Sequence, residues 1–254
     1  ITQGKEVAVT GTTTLVTSAN EATITLNDAD NAFTGALTIT TNDASGTDAD
    51  VIIDGGTTAL IIAASTIDGD LTLISGHTSG ITDSGTVTVG GDLAATTDAG
   101  NGVINMDQLA VDGSIALTTN GNGAATVVND DGLTFAASTV RGALSATATD
   151  GNITDSGDLT ITGAATFITV ADESNIILDA SGNAFAAAVT MKAGNGSNAA
   201  FGNITFVDSA AVKLHSSAGT NGDLFIDAST DLAVGGNLSI TATTGNITQG
   251  SEVA

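Results

Sequence analysis

Along most of the chain, apolar and polar residues alternate one for one. Residues 22–26 read ATITL, 36–40 ALTIT, 86–89 TVTV and 158–162 DLTIT. A period of two sends successive side chains to opposite faces, so these segments predict β-strands with one face turned inward. They are short, and clusters of Gly, Asn, Asp and Ser separate them. No window carries the 3.6-residue apolar period and the caps of a helix. The pattern predicts an all-β chain.

The strands are arranged in a longer repetition. ITQG opens the chain at Ile1 and returns at Ile247, and ITDSG stands at Ile81 and at Ile153. Aligned on this phrase, the chain divides into repeats 1–80, 81–152 and 153–246, with the start of a fourth at 247–254. Asn-Ala-Phe recurs at Asn31 and Asn183. Repetition on this scale marks an array or solenoid. A β-sandwich series is the competitor. Its units run near ~100 residues at nearly constant length with large aromatic core residues, whereas these repeats are 80, 72 and 94 residues long and contain no Trp or Tyr.

A parallel β-helix, or β-solenoid, fits better, because stacked coils tolerate a change of length by one coil. The difference between 72 and 94 is 22 residues, about one coil of roughly 20 to 25. Gly-Asp-Leu or Gly-Asn-Leu stands at 69–71, 91–93, 157–159, 222–224 and 236–238. In each, Gly opens a turn, the Asp or Asn side chain closes it, and Leu starts the next inward face. The whole chain, 1–254, is read as one solenoid segment of roughly eleven coils, about 50 Å long at ~4.8 Å per coil.

Taken together, ITDSG or ITQG, the following LTITGAATF or VAVTGTTTL, and TITLNDADNAFTGALTIT resemble the repeat region of filamentous-haemagglutinin-like exoproteins and related giant bacterial surface proteins. The resemblance implies a right-handed parallel β-helix, export to the cell exterior, and service as a stalk or fibre in adhesion. The family's N-terminal secretion domain and a distinct tip domain are not among these residues. The near-identity of ITQGKEVA and ITQGSEVA supports tandem copies stacked head to tail, with Ile1 read as a point inside a longer chain. A host or cell-surface glycan or protein is the remaining partner class.

Composition sharpens this picture. There is no Pro in 254 residues, as expected where backbone N–H groups are needed in a continuous ladder. Four basic residues face 28 acids, for a net charge of −24. This balance excludes nucleic acid, whose phosphates need a basic face. No apolar run reaches the ~20 residues of a membrane-spanning helix. Without Cys there is no disulfide framework or thiol chemistry.

Candidate chemistry is sparse, and the chain is read as a non-enzyme. A glycan-cleaving site needs clustered acids with a base, and Arg141, Lys5, Lys192 and Lys213 are scattered. His77 and His215 stand alone in Gly- or Ser-rich contexts and are read as exposed residues. No cofactor is required on this reading. Calcium is the candidate metal, held by hard oxygen ligands at turns: Asp28 and Asp30 beside Asn27, Asp48 and Asp50 with Asp54, and Asp130 and Asp131 beside Asn129. Solvated turn acids are the plainer reading of the same residues. Thr-x-Thr pairs starting at 23, 38, 86, 147, 160 and 241 raise an ice-binding face, but their separations of 15, 48, 61, 13 and 81 follow no constant coil. A lateral-face binding module for carbohydrate, a receptor or ice is the alternative to a stalk, and Phe201, Phe206, Lys213 and His215 mark the region to inspect.

Overall fold

A computed structural model describes residues 1–42, 49–194, 201–215, 223–226 and 236–249. The chain is all-β, and its short strands stack in parallel into a β-solenoid. Two compact units, Ile1–Asp130 and Asp131–Ala254, are distinguished.

In the first unit, one sheet stacks Ile24–Leu26, Val51–Asp54, Leu71–Ser75, Leu93–Gly100 and Ser114–Asn120 in chain order. Ile24 registers on Val51, Val51 on Leu71, Leu71 on Leu93 and Leu93 on Ile115, and all five side chains are fully buried. Each step is one turn of the solenoid. The second sheet includes Leu60–Ile62, Ser65–Ile67, Ile81–Asp83, Val87–Val89, Ile104–Val111 and Ala125–Asn129, with Leu60, Ile81, Ile104 and Ala125 as successive rungs.

The second unit repeats the plan. Leu133–Phe135, Ile153–Asp155, Ile176–Leu178, Ile204–Asp208 and Leu238–Ala242 stack with Leu133, Ile153, Ile176, Ile204 and Leu238 in register. Its other sheet includes Leu144–Ala148, Ala165–Thr169 and Val189–Lys192. Four turns lie between the first and last rungs in each unit, about eight in all.

The interior follows from the period of two. Inward positions carry Ile, Leu, Val and Ala, and the second unit adds one Phe per turn: Phe135, Phe167, Phe185 and Phe206, all buried. Their rings meet edge to face at 6.1 Å for the first two contacts and tilted at 5.1 Å for the third. Such pairs add about 0.5–1.5 kcal/mol each beyond the area they bury.

The Ser-Gly of ITDSG lies within a turn, as a bend between two short strands on one side: Ile81–Asp83 before Val87–Val89, and Ile153–Asp155 before Leu159–Ile161. At this bend the backbones of neighbouring turns nearly touch. Ser156 N–H donates to Phe135 O at 2.7 Å, and a Cβ on Gly157 would lie 2.6 Å from Ala137 N, so a side chain there has no room.

From the first repeat to the last, of 80 and 94 residues, the main sheet gains no rung. Between Ile1 and Ile81 the chain advances one turn at a time from Thr2 to Thr25, Ile24 to Val51 and Val51 to Leu71, and the next phrase falls in the second sheet. Between Ile153 and Ile247 it advances from Ile153 to Ile176, Ile204 and Leu238, and the next phrase again falls in the other sheet. Both repeats contain three turns. The second gains its length between Ile204 and Leu238, 34 residues against 20 from Val51 to Leu71, where the other sheet takes an added strand, Asp223–Ile226, between Val189–Lys192 and Val212–His215.

Candidate functional site

The polar side chains with the most defined geometry lie at the corners of the turns, and most of them hold neighbouring turns together. The residue just before each rung of the main sheet from Val51 onward is Asp50, Asp70, Asp92 and Ser114 in the first unit. Asp50 Oδ1 accepts the backbone N–H of Asp70 at 2.8 Å, Asp70 Oδ1 that of Asp92 at 2.7 Å, and Asp92 Oδ1 that of Ser114 at 2.6 Å. The second unit builds the same corner from asparagine. Asn152 Oδ1 accepts the N–H of Asn175, Asn175 Oδ1 that of Asn203, and Asn203 Oδ1 that of Asn237, each at 2.7 Å.

This geometry corrects the expectation for the Gly-Asp-Leu turns. Asp70, Asp92 and Asp158 do not close their own turns. They reach backbone N–H groups of Asp92, Ser114 and Gly182, which stand 22, 22 and 24 residues further on. For the 222–224 turn, Gly222 and the Asp223 side chain lie outside the described residues.

The third residue of the repeated phrase does similar work. Gln3 Oε1 accepts from Asp28 N–H, Asp83 from the N–H groups of Asp107 and Gln108, and Asp155 from Asp179 and Ala180. Burial pushes the Asp83 carboxyl above the ordinary range. The Gln108 and Asp107 N–H bonds oppose this, and the Asp107 charge adds to it.

A second polar row is fully inside. Asn31, Asn129 and Asn183 are buried, and each Oδ1 accepts an N–H from the preceding turn, from Val7, Val111 and Leu159 at 2.8, 2.9 and 2.8 Å. Each Nδ2 also donates: Asn31 to Leu26 O and Asp54 O, Asn129 to Val111 O, and Asn183 to Asp155 Oδ2. Asp208 occupies this position one turn after Asn183, accepting from Phe185 N–H.

Of the calcium candidates, Asp28 accepts the N–H of Asp30 at 3.0 Å, Asp50 belongs to the corner ladder, and Asp131 accepts the N–H of Gly132 at 2.7 Å. Asp130 is exposed, and Asp48 lies outside the described residues. Among the described residues, no group of three His, Asp or Glu side chains converges as a metal site. One crevice of about 310 Å³ is acidic, lined by Asp54 and Asp98 with Gly56 and Gly76. Burial pushes the Asp54 carboxyl up, the Gly56 N–H bond opposes this, and the charges of Asp98 and Asp28 add to the rise.

His77 accepts Ser79 N–H on Nδ1 at 3.0 Å, and the side chains of Lys213 and His215 lie outside the described residues. Phe206 is 1% exposed in the core and Phe201 is 37% exposed, so no paired aromatic platform forms there. The outward column at the middle of the first unit's main sheet reads Thr25, Ile52, Thr72, Ala94 and Ala116. A regular Thr array is thus interrupted. Among the described residues, no helix is long and apolar enough to cross a membrane.

Sequence reasoning missed both corner ladders. Their signal is an Asp or Asn immediately before the inward Val, Leu or Ile of each turn, as in Asp50-Val51, Asp70-Leu71, Asn152-Ile153 and Asn203-Ile204.

The family model described as repeats of unknown function (DUF5649) matches residues 1–40 and 121–192. The first stretch and the end of the second correspond residue for residue: Ile1 with Ile153, Ile24 with Ile176, Asn31 with Asn183 and Phe33 with Phe185. No curated protein and no solved structure matches the chain.

Proposed function

We propose that the chain is a structural spacer, a stalk or filament segment of a large secreted or cell-surface repeat protein. On this reading it is not an enzyme and serves adhesion or surface architecture, as the resemblance to filamentous-haemagglutinin-like exoproteins implies. One observation carries the proposal: most of the acids and amides with defined partners hold one turn to the next, as in the Asp50, Asp70 and Asp92 ladder. A parallel ladder of this kind resists slippage of register and extends by adding turns.

The proposal includes a right-handed solenoid of roughly eleven coils. The coil count is supported by five rungs in register in each unit and by the Thr2 to Thr25 bridge. Copies stack head to tail by the same parallel pairing. The test joins a second copy in tandem. Scattering and electron microscopy should show a particle about 50 Å longer at unchanged width. Two beads separated by a gap, or growth in width, would contradict the stalk.

A lateral-face binding module is the second reading. It is favoured by the uncharged outward column Thr25, Ile52, Thr72, Ala94 and Ala116 in a chain of net charge −24. Retention on neutral polysaccharide that survives high salt would support it.

A further inference from the structure

Asn-Gly pairs stand at Asn101, Asn120, Asn122, Asn195 and Asn221, and the last two lie outside the described residues. An Asn-Gly pair is open to attack on itself. With no Cβ on the glycine, its backbone nitrogen can approach the side-chain amide carbon of the asparagine before it. The three described pairs share one corner of the first unit, and the fold treats them differently.

Asn101-Gly102 and Asn122-Gly123 are equivalent positions one turn apart. Gly102 N–H donates to Ala99 O at 3.1 Å and Gly123 N–H to Asn120 O at 2.9 Å, and both glycines are buried. Asn101 is held at its side chain as well, since its Oδ1 accepts Asn122 N–H at 2.8 Å. Asn120-Gly121 is arranged the other way. Both residues are exposed, and Gly121 N–H donates to Oδ1 of Asn120 itself at 3.1 Å. The amide carbon bonded to that oxygen is thereby held beside the nitrogen that would attack it.

We propose that Asn120 is a site of spontaneous deamidation, selected by the fold over Asn101 and Asn122. The Gly121 nitrogen bonds to Asn120 Cγ, its proton leaves with Nδ2 as ammonia, and a five-membered succinimide remains. Water then opens the ring at either carbonyl, giving aspartate or isoaspartate. Either product loses the donor that Asn120 Nδ2 offers to Asp98 O at 3.4 Å, and adds a negative charge to the corner. In the isoaspartate the chain runs through the former side chain, and the Asn120 carbonyl becomes a free carboxylate. That carbonyl accepts Asn101 N–H at 3.1 Å and Gly123 N–H at 2.9 Å, so the rerouting displaces an acceptor that joins two turns. Asn120 is a slow, one-way switch that loosens this corner as the protein ages.

The test is peptide mapping by mass spectrometry of the folded chain kept for weeks in warm neutral buffer, with a sample in concentrated urea alongside. A gain of one mass unit should accumulate at Asn120 about tenfold faster than at Asn101 or Asn122, whose glycine nitrogens must first leave a backbone bond. In urea the three sites should react at similar rates. The Asn120 product should be a mixture of isoaspartate and aspartate, because a succinimide opens on both sides. Equal rates at the three sites of the folded chain, faster reaction at Asn101 or Asn122, no reaction at Asn120 while the urea sample converts, or aspartate as the sole product overturns the proposal. Amide hydrogen exchange reads the loosening separately. It should quicken at Asn101 and Gly123 in the converted fraction, and unchanged exchange there contradicts the switch.

Discussion

The two units hold the same corner with different chemistry. In the first, Asp50, Asp70 and Asp92 each accept the next turn's N–H, and in the second Asn152, Asn175 and Asn203 do so at almost the same distances. The asparagines add a second bond, with Asn175 Nδ2 donating to Asn152 at 3.2 Å and Asn203 Nδ2 to Asn175 at 2.8 Å. Aspartates cannot donate, and they place like charges on successive turns. The backbone geometry thus asks only for an acceptor. The choice between acid and amide decides whether the ladder also carries charge.

The units differ inside as well. One Phe per turn fills the second, while the described part of the first buries only Phe33 and otherwise relies on residues such as Ile53 and Leu73. The largest expected effect breaks this second comparison. Phe167→Ala removes a ring in contact with both Phe135 and Phe185 and should cost about 3–5 kcal/mol, against about 2–5 kcal/mol for Leu73→Ala. Urea unfolding of both variants measures the difference, and a smaller loss for Phe167→Ala would show that the aromatic column adds nothing to its turns.

A smaller effect sharpens the ladder comparison by exchanging its members. Asn175→Asp loses the donor to Asn152 and adds a charge, and should destabilise by about 0.5–1.5 kcal/mol. Asp70→Asn removes the repulsion of Asp70 with Asp50 and with Asp92 and should stabilise by about 0.2–1 kcal/mol. Because Asp70 is exposed, its gain should shrink as salt rises, with screening over about 10 Å at 0.1 M. Unfolding at two ionic strengths checks both changes, and effects of the same sign would remove the distinction between the ladders.

What the sequence made legible was local. The alternation at residues 22–26 placed Ile24 and Leu26 inward, and both are buried. The corner bonds were illegible because they join residues about one turn apart: Asp70 beside Leu71 reads as an ordinary turn acid until Asp92 is brought against it. For the same reason, the length of the last repeat looked like a whole added coil, although between Ile204 and Leu238 only the second sheet gains a strand, Asp223–Ile226. Phe206 read as a surface aromatic because its neighbours in sequence include Phe201 and Lys213, while its neighbour in space is Phe185.

The account rests most directly on register between successive turns. The chain has no cysteine, so introduced pairs report without interference. Thr72 and Ala94 are partners on adjacent turns, and Ala116 is the next in the same column. A disulfide requires Cα atoms about 4.4–6.8 Å apart, which adjacent turns meet and alternate turns, about 9–10 Å apart, do not. Thr72→Cys with Ala94→Cys should oxidise to a monomeric disulfide and Thr72→Cys with Ala116→Cys should stay reduced; the opposite result, or equal oxidation of both pairs, would contradict the stacked-turn solenoid.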